Sequence, residues 1–428
     1  MTLIETLAQW CATPPPFSHR ARQLACEAIT DTLACLVAGR SDFSTQSVQQ
    51  AWPGMQRTPS QDALMNATAA HAIDFDDNFA PGMSHASAVL VPALLAVAKD
   101  ATGPALIRAY LIGLQAQAYI GEAIGYQHYT AGWHGTSTVG CIGSAAGVAA
   151  LMGLDAAGIA RALSIAVSLA SGVKGQFGTP LKPFHAGMAA RNAVDAATLA
   201  KTGMQGRLDI IECAQGFAEL YAGKVNQPSL PGAEQHVIEC IGVMPKKYPC
   251  CGSTHRILDA IVDLQQQQRL NIDDIESVHC QVGIANCRNL AYHQPEDEMQ
   301  ARFSMQYCVA MMLKHGTLSV QDFTLERVQQ QSETSQLAMV TLDPWTAEQE
   351  AESRDLPHVL TLRFKDGQEI VHSRRRARGT LDEPFSASER EEKFYDCCAD
   401  VVNAPALYQM LLTLDQQMDL RFLRQLMV

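Results

Sequence analysis

The sequence predicts a mainly α-helical protein, in which a large all-helical bundle is joined to a smaller α+β part. In the first half of the chain, apolar residues recur at spacings of three and four, as from Ala25 to Val37, which is the period of an amphipathic helix. In the second half the pattern changes to alternating, β-branched residues, as in 275–284, which is typical of a strand. The chain has 428 residues, of which 47% are hydrophobic, and this is enough for more than one core.

The helical domain is expected to cover residues 1–242 and to be completed by a C-terminal helix within 401–428. Several of its segments are apolar on most faces, which indicates helices that are buried inside a bundle. Glycines stand where these helices should end, as C-cap glycines do. The clearest helical segments are 88–97, 106–120, 140–152 and 157–169, and the terminating glycines are Gly39, Gly103, Gly153 and Gly203.

The α+β domain is expected to cover residues 243–400. Its alternating segments predict strands, and Asp366-Gly367 between two of them is a hairpin signature. Helices are expected before, between and after the strands. The predicted strands are 275–284, 337–342, 358–364 and 368–372, and the predicted helices are 254–267, 300–314 and 387–400, followed by 404–427.

Composition and charge exclude several classes of function. The net charge is −12 and no sustained basic stripe is present, so a nucleic-acid partner is not expected. The short basic run 374–378 is interpreted as a solvated strand edge. The longest apolar stretch, 86–98, is shorter than the roughly 20 residues that span a bilayer, so no membrane partner is expected. The N-terminus lacks the pattern of a signal peptide, and the 13 cysteines show no Cys-x-x-Cys spacing, which favours a cytoplasmic protein with reduced thiols.

An acidic cluster closes one of the predicted helices. Asp74, Asp76 and Asp77 lie within four residues, in a segment that continues through a Pro-Gly loop to His85. Like charges this close disfavour ionisation of one another, so the cluster needs a cation, a hydrogen-bond network or a proton-transfer role. The alternatives are a solvated helix end, a magnesium site and, least favoured, a carbocation site of the terpene-cyclase type, which the aromatic content of 6% argues against.

Two further segments combine helix starts with histidine or lysine. His134 opens a Gly/Ala-rich helix, and the free N–H groups at a helix start suit a carboxylate, although the hydroxyl residues of this turn could equally be plain N-caps. Lys182 and His185 lie in the interval 156–194, which contains no acidic residue. No nucleotide-binding glycine motif is present, so the choice here is between an anion site and a solvated loop.

A fourth segment lies at the predicted junction between the domains. The interval 240–258 also lacks acidic residues and contains Lys246, Lys247, Cys251 and His255. Clefts between domains are favoured sites for small ligands. A nucleophilic cysteine is the less favoured alternative here, because buried inert thiols are common.

These segments together predict a metal-free site for a polycarboxylate. Lysines and helix N-termini would neutralise carboxylates, and His85, tuned by Asp74, would transfer protons. Arg302 and Tyr307, at the start of a later helix, are weaker candidates for the same cleft. The matching reaction removes a proton next to a carboxylate and expels or repositions a neighbouring group.

The same segments resemble the MmgE/PrpD family, and the match runs in order from about residue 5 to about residue 400. This family includes 2-methylcitrate dehydratases, cis-aconitate decarboxylases and iminodisuccinate epimerases. The resemblance implies a helical domain with a smaller α+β lid domain, a homodimer, and no metal or organic cofactor. The segments are Asp74-Phe-Asp-Asp, His134-Gly-Thr-Ser-Thr, Thr179-Pro-Leu-Lys-Pro-Phe-His-Ala-Gly and Lys247-Tyr-Pro-Cys-Cys-Gly-Ser-Thr-His.

The resemblance also implies roles for individual residues. Asp74 and His85 would be catalytic, most other matched residues would line the site, and Tyr307 would approach from the lid. With the residue-based arguments above, the predicted catalytic residues are Asp74, His85, His134 and Lys182, and the predicted substrate-binding residues are Asn78, Lys246, Lys247, Cys251, His255 and Tyr307.

The leading hypothesis is a hydro-lyase that dehydrates a citrate-like di- or tricarboxylate. Two departures from the resemblance weaken a decarboxylase, because that branch carries a histidine in place of Cys251 and a threonine in place of Asn78. An epimerase of a dicarboxylate such as iminodisuccinate stays open. A helical protein that binds a metabolite without turnover is the alternative from a different class.

Overall fold

The computed structural model describes residues 1–53, 57–230, 232, 236–267, 270–332, 335–353 and 355–428. A helical bundle forms the first part of this structure. Its helices begin at residues that satisfy free N–H groups: Thr2 and Thr58 each form a capping box with a residue three positions on, and Ser18, Thr102 and Asp155 each accept a hydrogen bond from the first turn. The helices are α1 (Leu3–Ala12), α2 (His19–Ala38), α3 (Phe43–Ala51), α4 (Pro59–Ala72), α5 (Ala86–Val97), α6 (Gly103–Ile124), α7 (Tyr126–Thr130), α8 (Gly135–Leu151), α9 (Ala156–Leu169), α10 (Leu181–Lys201), α11 (Phe217–Ala222) and α12 (Val237–Cys240).

The second part combines helices with a small sheet. The described residues contain a mixed sheet with the strand order β2-β1-β3-β4, in which β1 runs parallel to β2 and antiparallel to β3. Its helices are α13 (Gly252–Gln267), α14 (Ile284–Asn289), α15 (Glu298–Arg302), α16 (Met305–His315), α17 (Leu325–Ser332) and α18 (Ala347–Glu352), and its strands are β1 (Ile275–Val282), β2 (Val340–Pro344), β3 (His358–Phe364) and β4 (Glu369–Arg374). The last two helices, α19 (Ala387–Cys397) and α20 (Ala404–Leu412), return to the bundle and pack against α2. The mainly helical class with an α+β part is therefore confirmed.

The described residues form two large hydrophobic cores, one in each part. The first is made of the bundle helices, with α5 and α8 buried along nearly their whole length, as their apolar and small residues predict. The second lies between α13, α16 and the buried face of the sheet, where Val278, Cys280 and Val282 of β1 point inward. The C-terminal residues from Phe394 to Leu426 pack on the first core. None of the described helices has both the length and the apolar composition that crossing a membrane requires.

The predicted hairpin is confirmed, whereas two predicted helices are interrupted. Strands β3 and β4 pair in antiparallel register around Gly367, which has a φ of 89°. The predicted helix 300–314 is broken after Arg302, because the Ser304 side chain caps a new helix by accepting from the Tyr307 N–H at 3.1 Å. The predicted helix 404–427 ends at Leu412 and continues as short 3-10 turns, in which the Gln417 carbonyl accepts from the Gly103 N–H at the start of α6, at 2.7 Å.

Candidate active site

A two-way backbone bridge brings two distant segments of the site together. The loop that follows α4 runs past Asp74 to Asn78, and Asn78 and Met244 exchange backbone hydrogen bonds of 2.8 Å in both directions. This bridge places Lys246, two residues after Met244, beneath the acidic loop. A residue of α19 also supports the loop: buried Lys393 donates to the carbonyl of Phe75 at 2.8 Å.

Asp74 is a buried carboxylate held between two buried lysines. Its Oδ1 lies 2.5 Å from Nζ of Lys182, in the first turn of α10, and its Oδ2 lies 3.0 Å from Nζ of Lys246. Lys246 also donates to the Asp74 backbone carbonyl at 2.8 Å. The backbone of Asp74 is left-handed, with a φ of 54°, and these contacts compensate for the strain of that conformation.

The lysines determine the charge of this carboxylate. Burial alone would raise the pKa of Asp74, but Lys182 and Lys246 outweigh burial and hold the pKa well below its usual range. Burial lowers the pKa of Lys182, against the attraction of Asp74. Asp74 is therefore ionised at neutral pH, and the Lys182 ammonium loses a proton more easily than an exposed lysine.

A second buried carboxylate, Asp76, lies next to two histidines, His71 and His85. Nδ1 of His71 lies 2.9 Å from Asp76, and Nε2 of His71 accepts from the Lys182 ammonium at 2.8 Å. Since an ammonium only donates, His71 carries its proton on Nδ1 and donates it to Asp76. Nδ1 of His85 lies 3.3 Å from Asp76. The sequence predicts that Asp74 tunes His85; among the described residues the carboxylate nearest to His85 is that of Asp76, while Asp74 interacts with His85 from a greater distance.

His85 and His134 both stand immediately before a helix, α5 and α8 respectively, where the helix dipole favours a neutral imidazole. Burial lowers the pKa of His85 to about 3, opposed by Asp76 and reinforced by the two lysines. Burial likewise holds the pKa of His134 well below its usual value. The backbone N–H of His85 donates to Oγ1 of Thr136 at 3.0 Å, so this hydroxyl links the two helix starts rather than capping its own helix.

Gly135 allows these two helix starts to approach each other. A Cβ at this position would lie 2.3 Å from the carbonyl oxygen of Met83 and 2.6 Å from that of Gly82. Both distances are far below van der Waals contact, so any side chain would displace the loop that ends at His85. The glycine after His134 therefore fixes the separation of the two histidines.

The inner site is close to electroneutral before a substrate binds. Two ionised carboxylates, Asp74 and Asp76, face two ammonium groups, Lys182 and Lys246, while the histidines are neutral. An anionic substrate would therefore add charge that this cluster does not compensate. Proton uptake or further cations are needed to bind a polycarboxylate there.

These groups open into a cleft of about 610 Å³ between the bundle and the α+β part. Six of the predicted site residues line it: Asp74, Asn78, His85, His134, Lys182 and Cys251. Among them, burial and the charge of Asp74 raise the pKa of the Cys251 thiol, which argues against a nucleophilic thiolate. His134 lines the cleft, and its Nε2 is buried and has no hydrogen-bond partner among the described residues.

The other four predicted binding residues do not line this cleft. Lys246 is fully buried beneath Asp74, and Lys247 pairs with Glu389 at 3.1 Å. His255 is buried with Nε2 3.2 Å from the carbonyl of Cys250. Tyr307 is buried in the second core, with its hydroxyl donating to the carbonyl of Asp322 instead of approaching from the lid. Arg302 is buried as well, over the ring of Phe323.

The sequence analysis missed several residues that the structure places at the site. His71 and Asp76 form the hydrogen-bond chain behind His85, and the only sequence signal was their position inside the acidic segment. Arg256, Arg375 and Arg376 line the cleft. The interpretation of 374–378 as a solvated edge holds for the exposed side chains of Arg375 and Arg376, which lie at the cleft mouth, but not for Arg374, which is 12% exposed and pairs with Asp263.

The same buried groups have a geometry that a metal ion could use. One ligand atom each of His71, Asp74, Asp76 and His85 lies within 4.8 Å of the others. However, Lys182 lies 2.5 Å from one Asp74 oxygen and 2.8 Å from Nε2 of His71, so an ammonium already contacts two of the four groups. A divalent ion would have to displace this ammonium, and the residues therefore fit an ion poorly.

Comparison with known families decides the classification. The sequence model of the MmgE/PrpD N-terminal domain matches residues 5–228, and that of the MmgE/PrpD C-terminal domain matches residues 248–418. The chain belongs to the MmgE/PrpD family. The resemblance identified from the four segments is thereby confirmed.

Curated relatives in this MmgE/PrpD group are enzymes. The chain is 27% identical to the cis-aconitate decarboxylase of Homo sapiens over 371 residues, which cover 82% of this chain and 76% of that enzyme. It is 28% identical to the cis-aconitate decarboxylase of Aspergillus terreus over 338 residues, which cover 70% of this chain and 68% of that enzyme. The family and these relatives support a lyase-type function on a citrate-like acid.

Proposed function

We propose that this protein is a lyase that acts on a citrate-like di- or tricarboxylate by acid–base chemistry, most simply as a hydro-lyase. The observation that carries the proposal is a neutral, cleft-lining His85 backed by the ionised Asp76, next to an ammonium group of lowered pKa. This arrangement supplies a base and an acid in one cleft without a cofactor.

His85 is the proposed base. Its Nδ1 lies 3.3 Å from Asp76 without a hydrogen bond of good geometry, and we assign the proton to this nitrogen, so that the Nε2 lone pair takes a proton from a carbon next to a carboxylate. The electron pair of that C–H bond forms the double bond. The Asp76 charge stabilises the imidazolium that results, and this attraction opposes the lowering of the His85 pKa by burial and by the two lysines.

Lys182 is the proposed acid. The leaving hydroxyl takes a proton as its C–O bond breaks, so that water departs and an alkene remains. Since both cleft histidines are neutral, the Lys182 ammonium is a proton donor already present at neutral pH. Nε2 of His134 is proposed to position a substrate carboxyl or hydroxyl group.

A decarboxylase is the second candidate, favoured by the names of the relatives. The same residues would then protonate the carbon that loses CO₂. The presence of Asn78 and Cys251 in the cleft favours a different reaction, because the decarboxylase branch is expected to carry threonine and histidine at these positions. An epimerase would return the proton to the same carbon and form no alkene.

One substrate panel separates these reactions. The protein is incubated with citrate, 2-methylcitrate, cis-aconitate and iminodisuccinate in deuterated buffer. A hydro-lyase produces the ultraviolet absorbance of a conjugated acid from a citrate, a decarboxylase releases CO₂ from cis-aconitate, and an epimerase incorporates deuterium without an alkene. Absence of turnover with all four acids would refute the proposal.

We also propose that the protein acts as a homodimer in the cytoplasm, with the small polycarboxylate as its partner. The low charged fraction of 18% supports an oligomer, because subunit contacts bury surface that would otherwise be charged. Sedimentation equilibrium tests the dimer directly, and a monomer at all concentrations would contradict it.

A further inference from the structure

Three arginines form a cationic group at the solvent-facing end of the cleft. Arg256, Arg375 and Arg376 line the same cleft as His85 and Lys182. The side chains of Arg375 and Arg376 are 61% and 46% exposed, whereas that of Lys182 is 2% exposed. The cleft thus has a buried inner end, where the acid–base groups lie, and an exposed outer end that carries guanidinium groups.

The guanidinium groups at the outer end outnumber the carboxylates. Asp355 lines the cleft and contacts two of them, with Oδ1 2.5 Å from Nη1 of Arg376 and Oδ2 3.8 Å from Nη1 of Arg375. Asp382 is more distant, 3.8 Å from Nε of Arg376, and 79% exposed. Arg256 donates to backbone carbonyls at 3.2 and 3.3 Å, and within the described ranges no carboxylate lies within 4 Å of it. Positive charge therefore remains uncompensated at this end.

Neighbouring residues hold these arginines in place. Arg374, the last residue of β4, pairs with Asp263 of α13 at 2.7 Å and with Glu383 at 2.8 Å. The backbone N–H of Arg378 donates to Asp259 of α13 at 2.9 Å. These contacts anchor the backbone on both sides of Arg375 and Arg376. The position of both residues at the cleft is therefore fixed by their neighbours.

We propose that Arg256, Arg375 and Arg376 form an anion subsite that binds a carboxylate of the substrate remote from the reacting carbon, and that Asp355 occupies this subsite when no substrate is bound. The proposal rests on the proposed function, because it extends the same cleft. It follows from the charges: the inner cluster is electroneutral, so the net positive charge that attracts a polycarboxylate is supplied by the outer end. Guanidinium groups also suit carboxylates through paired N–H donors.

The subsite narrows the class of substrate. A cleft of about 610 Å³ is larger than a compact dicarboxylate needs, and it carries cations at both ends. The preferred substrate is therefore a tricarboxylate, or a dicarboxylate with a further anionic group, that spans both ends. A simple short dicarboxylate reaches one end and binds more weakly.

Substitutions that remove a positive or a negative charge from the outer end test the proposal. Arg376→Gln and Arg375→Gln should each raise KM about tenfold with little change in kcat, because they remove binding that is uniform along the reaction. Asp355→Asn should lower KM about threefold or more, since it removes the internal competitor. Arg363→Gln is the matched control, because Arg363 pairs with exposed Glu369 at 3.1 Å outside the cleft lining, and it should leave KM unchanged.

A purely structural ion pair gives a different pattern. If Asp355 and Arg376 only brace their loop, then Asp355→Asn and Arg376→Gln shift KM in the same direction, and the proposal is overturned. The wild-type KM should also increase with salt, and this dependence should flatten in the Arg375→Gln/Arg376→Gln double variant. An unchanged salt dependence in the double variant would count equally against the subsite.

Binding of a non-reacting acid separates this proposal from the proposed function. Calorimetry with tricarballylate measures affinity in each variant without turnover. Turnover with KM and affinity insensitive to the arginines would refute the subsite alone. Arginine-dependent binding without turnover of any acid would refute the proposed function alone, and neither binding nor turnover would refute both.

Discussion

Replacing Asp77 by asparagine is expected to change how the stability of the protein depends on pH. Asp77 follows Asp76 directly, but its side chain is buried on the other side of the loop, with one oxygen accepting from the Ser87 N–H at 3.3 Å and the other without a hydrogen bond among the described residues. Burial raises the pKa of this carboxyl from 3.8 to about 7, and the neighbouring charges of Asp76 and Asp31 add to the shift.

The sign follows from proton binding. Between pH 3.8 and about 7, Asp77 is protonated in the folded state and ionised in the unfolded state. The folded state then binds more protons, so the free energy of unfolding falls as the pH rises through this window and stays constant above it. A shift of about 3 pH units corresponds to at most about 4 kcal/mol at 1.36 kcal/mol per unit.

Asparagine has nearly the same shape and keeps an oxygen for Ser87, but it does not ionise. The Asp77→Asn protein should therefore be more stable than the wild type, and the difference should grow by about 1.4 kcal/mol per pH unit from about pH 5 until about pH 7. Urea unfolding across this range measures the difference, with Asp100→Asn at an exposed carboxylate as the matched control. A difference that does not vary with pH, or that shrinks as the pH rises, would refute the reasoning.

Three further predictions concern the inner site. Lys246→Met should lower the free energy of unfolding by about 3–5 kcal/mol, because Asp74 loses one of its buried partners, whereas the adjacent surface change Lys247→Met should cost less than about 1 kcal/mol in the same urea titration. Prolonged dialysis against a chelator should leave turnover intact, and a loss that a divalent ion restores would contradict the assignment of an ammonium, rather than a metal, to this cluster. Gly135→Ala should destabilise the protein by about 1–3 kcal/mol and lower kcat, because a Cβ there meets backbone oxygens. Gly175→Ala is its control, because a Cβ at this position meets nothing within 4 Å. Equal stability and equal kcat of the two variants would contradict the close approach of the two helix starts at Gly135.

Much of the fold was predictable from the sequence because its patterns are local. The helical period, the alternating strands and the turn at Gly367 each depend on neighbouring residues, and the structure confirms them. The interruption at Ser304 has a local cause too, an N-cap within an otherwise helical pattern. The end of the last helix at Leu412 was not predicted, and the segment beyond it makes a contact that no local pattern shows, a hydrogen bond from the distant Gly103 N–H to the Gln417 carbonyl.

The site was predictable as a set of segments but not as a set of partners. The acidic segment, the two helix starts and the lysine loop do meet at one cleft. Which carboxylate lies next to which basic side chain depends on side-chain direction. Asp74, with its left-handed backbone, contacts the lysines, whereas Asp76 lies next to the histidines. No pattern of residue types shows this.

Side-chain direction also explains why four of the predicted binding residues do not line the cleft. Lys246 and Lys247 are adjacent in sequence, yet Lys246 pairs with the buried Asp74 and Lys247 with Glu389. Tyr307 and His255 are on helices whose inward faces belong to the second core. The sequence therefore identified residues of types that suit the site, but the packing of the two parts determines which of them line the cleft.

The central claim is that a neutral His85, held by Asp76, is the base of the reaction. The most direct test measures turnover of the best acid of the substrate panel by the wild type and by His85→Gln, together with calorimetric binding of tricarballylate to both. We expect kcat to fall by about 10²–10⁴, with the affinity for tricarballylate changed by less than about threefold. A His85→Gln protein that is folded, binds the acid and keeps wild-type kcat would contradict the account.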